Sequence, residues 1–274
     1  MLSRYLSIFL CVALISSCHS SETKITTKVA TAIKTEQEPI TTKTIQSPKM
    51  KNIDIDYCMG KFEPKSHQEF INIPIKYADR EGMYMRADAF EAFKAMYNEA
   101  VKKGIQFQIR SAARNFDYQK GIWERKWTGA TKLSDGTDVS RDISQPVAKA
   151  LKILEYSSMP GTSRHHWGTD IDLNSFNNEY FESGEGKKMY EWLIANASTY
   201  GFCQPYTPKG AQRPNGYNEE KWHWSYMPVS KGITNYAEQN MKNEMISGFL
   251  GSETAQEIDV VAKYILGINH GCRH

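Results

Sequence analysis

Seven positions separate His165 from Asp172 in the stretch Ser163-Arg164-His165-His166-Trp167-Gly168-Thr169-Asp170-Ile171-Asp172, and that spacing restricts how the backbone can run. The two side chains lie too far apart for adjacent turns of one helix, and on one unbroken strand they would point to opposite faces. The chain must bend between them, and Gly168 is the residue that bends most freely. Beyond it, Thr169 to Leu173 alternate polar and apolar as a strand does, with Asp170 and Asp172 on one face. A second cluster, Glu220-Lys221-Trp222-His223, answers the first from far along the chain.

Together the clusters offer two imidazoles and a carboxylate, the donor set of a hydrolytic zinc centre with one position open to water. The expected ligands are His165, Asp172 and His223, although other divalent metals also accept such a set. Glu220, three positions before His223, is placed to act as general base. His166 and Asp170 compete with the chosen ligands if the register slips; otherwise they orient a ligand, or in the case of His166 lie at the surface. Arg114 follows an expected strand, where its planar fork suits a carboxylate or a developing oxyanion. A surface ion pair is the plainer reading for it.

The first residues read as a targeting segment. Arg4 supplies the positive end, Ile8 to Ile15 the apolar run, and Ser16-Ser17-Cys18 the small residues before a cysteine. This resembles a bacterial lipoprotein signal, which implies a lipid anchor on Cys18 and a place in the cell envelope. Residues 19–52, rich in Thr, Lys, Ser and Glu, read as a flexible tether, and 53–274 as the folded domain with a C-terminal helical extension. Three further cysteines, Cys58, Cys203 and Cys272, permit one disulfide in an exported protein, with the pairing open. A net charge of +3, no Gly-rich phosphate loop and no dense basic patch argue against a nucleic-acid partner.

Within the domain, Phe90, Phe93, Tyr97, Ala100 and Val101 recur at helical spacing over 87–103, with Gly104 as the stop. Ile105 to Ile109 alternate as a strand, and a helix follows through Trp123 and Trp127. Residues 128–142 read as a loop. Pro146 opens a helix whose apolar face is Val147, Ala150, Leu151 and Leu154. Further helices are expected over 186–200 and from Ser252, the latter packing through Ile258, Val261 and Ile265.

At these residues the sequence resembles the VanY-like D-alanyl-D-alanine carboxypeptidases, a zinc peptidase family with the patterns SGYRSxxxQ, SxHxxGxAxD and ExWH. Ser111, Arg114 and Gln119 match the first pattern, Ser163, His165, Gly168 and Asp172 the second, and Glu220, Trp222 and His223 the third. The resemblance implies an α+β fold, a small antiparallel sheet with helices packed around a Zn2+ site. It implies that His165, Asp172 and His223 bind the metal, Glu220 is the base and Arg114 steadies substrate or oxyanion. Ser163, Gln119 and Ser111 would contact the substrate, a peptidoglycan stem peptide losing its C-terminal D-alanine. An L,D-carboxypeptidase, a D,D-dipeptidase and a non-catalytic cell-wall peptide-binding module are the alternatives. Two departures stand out: Asp170 replaces the small residue usual there, and Ala112-Ala113 replace Gly-Tyr.

Overall fold

The computed structural model describes residues 53–273; the signal, the lipidation candidate Cys18 and the tether expected before residue 53 lie outside the described residues. The fold is α+β. Two short strands, β1 (Phe70–Asn72) and β2 (Tyr84–Arg86), pair antiparallel. The central sheet contains β3 (Ile109–Ser111), β4 (Asp170–Leu173), β5 (Phe202–Cys203) and β6 (His223–Tyr226) in the order β3-β4-β6-β5, all antiparallel. Strands β4 and β6 are buried along their whole length.

A one-turn helix, α1 (Ile55–Cys58), is capped by the Asp54 side chain on the Tyr57 amide. Helix α2 (Ala87–Lys102) buries Ala89, Phe90, Phe93, Met96 and Ala100; of the expected stripe Phe90, Phe93 and Ala100 are inward, whereas Tyr97 is half-buried and Val101 is 42% exposed. Phe93 is wholly buried and meets Tyr77, Tyr97 and Phe107, worth about 1.5–3 kcal/mol in removal from water. Helix α3 (Phe116–Trp127) starts under an Asn115 cap; α4 (Val139–Asp142) is one turn within the expected loop; and α5 (Pro146–Ile153) opens on its proline. Then come α6 (Gly184–Asn196), α7 (Met227–Asn240), α8 (Thr254–Ile258) and α9 (His270–Arg273).

Three local expectations need correction. Ile105–Gln108 do not join the sheet, because Asn174 intervenes. Its side chain accepts from the Gln108 amide at 2.8 Å and donates to the Gln106 carbonyl at 3.1 Å, taking the place of a strand partner. On α5 Ala150 and, at its C-cap, Leu154 are buried as expected, but Ile153 points inward in place of Leu151, which is 43% exposed. The last helix is not capped by Ser252 and is not continuous. Asp259 takes a left-handed conformation (φ 59°) between α8 and a wide turn over Val261–Ile265, whose buried residues nevertheless include Val261 and Ile265.

Cys203 and Cys272 form a disulfide, and Cys58 is a buried free thiol. Among the described residues no helix is long and apolar enough to cross a membrane.

Candidate active site

The bend between His165 and Asp172 is built as the sequence requires. Arg164–Trp167 form one tight turn, and Gly168 follows it with φ 70°. A Cβ at Gly168 would lie 2.3 Å from the Phe70 ring, so both the backbone angle and the space call for glycine. The chain then enters β4, whose Asp170, Ile171 and Asp172 pair with Ser225, Trp224 and His223 of β6. That register sets Asp172 directly opposite His223 and brings the two sequence clusters together.

His165, Asp172 and His223 are all buried, and each offers a donor atom within 4.8 Å of the others. The outer nitrogen of each imidazole is already engaged. His165 Nδ1 lies 2.8 Å from the Ala112 carbonyl, which only accepts, so that nitrogen carries the proton and leaves the Nε2 lone pair facing Asp172 at 3.2 Å. His223 Nε2 lies 2.9 Å from Asp170 Oδ2, which likewise leaves Nδ1 facing Asp172 Oδ1 at 3.2 Å. Asp172 Oδ1 has no hydrogen-bond partner. His165 Nε2, His223 Nδ1 and the Asp172 carboxylate therefore converge on one point, where a proton on His223 or a metal ion can sit, and such a point fits a cation.

The electrostatics agree. Burial alone would raise the Asp172 carboxyl, but the imidazoles of His165 and His223 hold it well below the ordinary carboxylate range. Burial lowers His165, and the charge of Arg114 lowers it further. For His223 burial acts downward too, yet the carboxylates of Asp170, Asp172 and Glu220 outweigh it and raise the imidazole well above its usual range. Positive charge is favoured at this point, whether a proton on His223 or a metal ion provides it.

Asp170 resolves the departure seen in the sequence. It is fully buried and takes four donors: His223 Nε2, Arg164 Nε at 3.0 Å, Thr169 Oγ1 at 2.6 Å and Ser225 Oγ at 2.8 Å. Burial opposes its charge, but Arg164 and His223 keep its carboxyl well below the usual range. Arg164 is equally buried, stacks on Trp167 at 4.5 Å and also bonds Thr234 and Ser225. His166 is neither ligand nor surface residue: it donates through Nδ1 to the Arg114 carbonyl at 2.6 Å and accepts from the Gly161 amide at 3.1 Å. Burial pushes it down to about 3, so it stays neutral and ties the Arg114 backbone to the turn before the cluster.

Glu220 lies 3.3 Å from His223 Nδ1, and burial raises its carboxyl. A cavity of about 900 Å³ opens over these groups, lined by Arg114, Gln119, Ser163, His165, Asp172, Glu220 and His223 among others. Arg114 Nε, Gln119 Oε1 and Ser163 Oγ have no hydrogen-bond partner among the described residues. Ser111 departs from its expected place as a substrate contact. It is buried in β3 opposite Asp172 and is not among the residues that line the cavity.

Several wall residues belong to none of the sequence patterns, among them Lys126, Tyr156, Phe176, Tyr206 and Tyr217. Tyr206 packs edge-on against His223 at 4.8 Å, and Tyr156 and Phe176 flank Trp222 at 6.2 and 6.3 Å. Only Lys126 had a readable signal, since it follows Gln119 by seven positions on a helix.

Residues 82–229, more than half of the chain, match the family profile described as VanY, D-alanyl-D-alanine carboxypeptidase. Bacillus subtilis YodJ is 27% identical over 67% of this chain and 62% of its own length. An Enterococcus faecium D-alanyl-D-alanine carboxypeptidase is also 27% identical, over 61% of this chain and 44% of that protein. The chain thus spans less than two thirds of the length of these curated relatives. The solved structure of the LdcB LD-carboxypeptidase is 21% identical with a TM-score of 0.46, covering 76% of this chain and 79% of that one. With the matched residues enclosing both halves of the buried cluster and the cavity above it, the chain belongs to the VanY D-alanyl-D-alanine carboxypeptidase family.

Proposed function

We propose that this protein is a zinc-dependent carboxypeptidase that removes the C-terminal D-alanine from peptidoglycan stem peptides. The observation that carries the reading is the convergence of ligand atoms from His165, Asp172 and His223 beside Glu220, at an open cavity within the matched stretch. What bound zinc supplies at such a set is Lewis acidity toward a carbonyl and a lowered pKa for water. The chain's own groups do the rest. Glu220, raised by burial, takes the proton of the attacking water and passes it to the departing amine of D-alanine. Arg114 faces the charge that develops on the carbonyl oxygen. Ser163 and Gln119, each with one unpartnered polar atom, hydrogen-bond the peptide. In this reading Cys18 carries a lipid anchor that keeps the enzyme beside its substrate in the cell envelope, with residues 19–52 as the tether.

The test is incubation of the zinc-loaded protein with pentapeptide and tetrapeptide muropeptides, with product masses read out. Loss of one alanine from the pentapeptide alone is expected. Glu220→Gln should reduce turnover by about 10²–10⁴-fold and still hold one equivalent of zinc. Loss of alanine from the tetrapeptide would shift the assignment to an L,D-carboxypeptidase, and a released dipeptide to a D,D-dipeptidase. No product from a fully zinc-loaded protein would leave a binding module.

A further inference from the structure

The cavity wall contains one cation that the sequence patterns leave unassigned. Gln119, Ile122 and Lys126 stand on one face of α3, and all three line the cavity. The Lys126 ammonium donates to Ser157 Oγ, and no carboxylate pairs with it among the described residues. Lys152, on the same wall, behaves differently: it is paired with Asp135 and Glu155, both at 2.8 Å. Burial, reinforced by the charge of Arg114, lowers Lys126 to about 8, with Glu220 pulling the other way. An ammonium half-buried beside another cation, with a hydroxyl as its one hydrogen-bond partner, is destabilised until an anion pairs with it directly.

Arg114 and Lys126 both line the cavity. Arg114 acts electrostatically on His165 and Glu220 at the metal cluster, and also on Lys126. An enzyme that cuts only at a chain end must recognise what the interior lacks, the terminal carboxylate. One residue separates that carboxylate from the bond to be cut, so its anchor must be a cation beyond the one facing the scissile carbonyl. We propose that Lys126, held by Ser157, receives the terminal carboxylate of the peptide and leaves Arg114 to the scissile carbonyl. This rests on the carboxypeptidase reading above and names a specificity-determining residue within it.

The experiment compares an N-acylated peptide ending in D-Ala-D-Ala as free acid with the same peptide as C-terminal amide. Wild-type, Lys126→Met and Lys126→Arg proteins, all zinc-loaded, are assayed for kcat and KM and titrated calorimetrically. For the acid, Lys126→Met should raise KM and Kd about 10- to 100-fold with kcat and zinc content little changed, and Lys126→Arg should recover most of the loss. For the amide, bound weakly by the wild type, the same substitution should change little. Equal losses for acid and amide, unchanged KM, or a wild type that binds both alike would each overturn the proposal. Wild-type turnover separates the two claims. Cleavage without acid preference removes the role of Lys126 and keeps the carboxypeptidase, whereas acid-selective binding without cleavage keeps Lys126 and removes the catalysis.

Discussion

Replacing Asp170 with Asn changes one atom in a site where four donors meet. The carboxylate accepts from His223, Arg164, Thr169 and Ser225, and every one of those bonds needs an acceptor. An amide turns half of that acceptor surface into a donor. If its NH2 faces His223 Nε2, the imidazole proton moves to Nδ1 and blocks the lone pair aimed at Asp172. If it faces the other way, it meets Thr169 and Ser225, and Arg164 loses its counter-charge in either case. Loss of such an orienting carboxylate typically weakens metal binding about 10- to 100-fold, or about 1.4–2.8 kcal/mol. Leaving the buried Arg164 without its partner adds about 3–5 kcal/mol of lost stability as an upper bound, reduced by its bonds to Thr234 and Ser225. Zinc affinity from competition with a chromophoric chelator, and denaturant midpoints with and without zinc, measure the two effects separately. Wild-type zinc affinity in a folded Asp170→Asn protein would refute the claim that this carboxylate sets the His223 tautomer.

Two further outcomes follow from the same geometry. Zinc must displace the proton that the surrounding carboxylates hold on His223, whereas burial already keeps His165 neutral. Zinc affinity should therefore fall about tenfold per pH unit as pH drops below the raised His223 value, and calorimetry in buffers of different ionisation enthalpy should find about one proton released per zinc at neutral pH. Gly168→Ala combines a left-handed backbone angle with a contact on Phe70, and should cost about 1–3 kcal/mol in thermal or denaturant unfolding.

The legible parts of this protein were those where chemistry or geometry leaves few choices. The odd spacing from His165 to Asp172 demands a bend, Gly168 supplies it, and the alternation after it gives β4. The apolar stripe of α2 is equally direct. What stayed hidden depends on partners distant in the chain. Asn174 occupies the place a strand partner would take beside Ile105–Gln108, and no local pattern announces that. Asp170 looked like a misfit at a position usually small, because its value lies in Arg164, Ser225 and His223 meeting around it. Ser111 matched its pattern, yet it is buried beside Asp172 and does not line the cavity. Tyr206 and Tyr217 come from a loop whose path is fixed by Arg213, which bonds the carbonyls of Thr207, Asn215 and Tyr217.

That loop is also bound from beyond. Cys203 at its start is joined to Cys272, the Asn269 amide bonds the Pro205 carbonyl at 2.7 Å, Gly216 and Gly267 touch backbone to backbone, and Tyr264 packs on Tyr217. The consequence concerns the order of synthesis. A nascent chain that had reached residue 229 would contain His165, Asp172, Glu220, His223 and the whole family-matched stretch. The segment carrying Glu220 would still lack its outer support, because that support comes from residues 264–272, later in the chain. The cluster's two imidazoles and carboxylate can meet early, but the loop that brings Tyr206 and Tyr217 to the cavity wall is fastened only once Cys272 has been made and joined to Cys203.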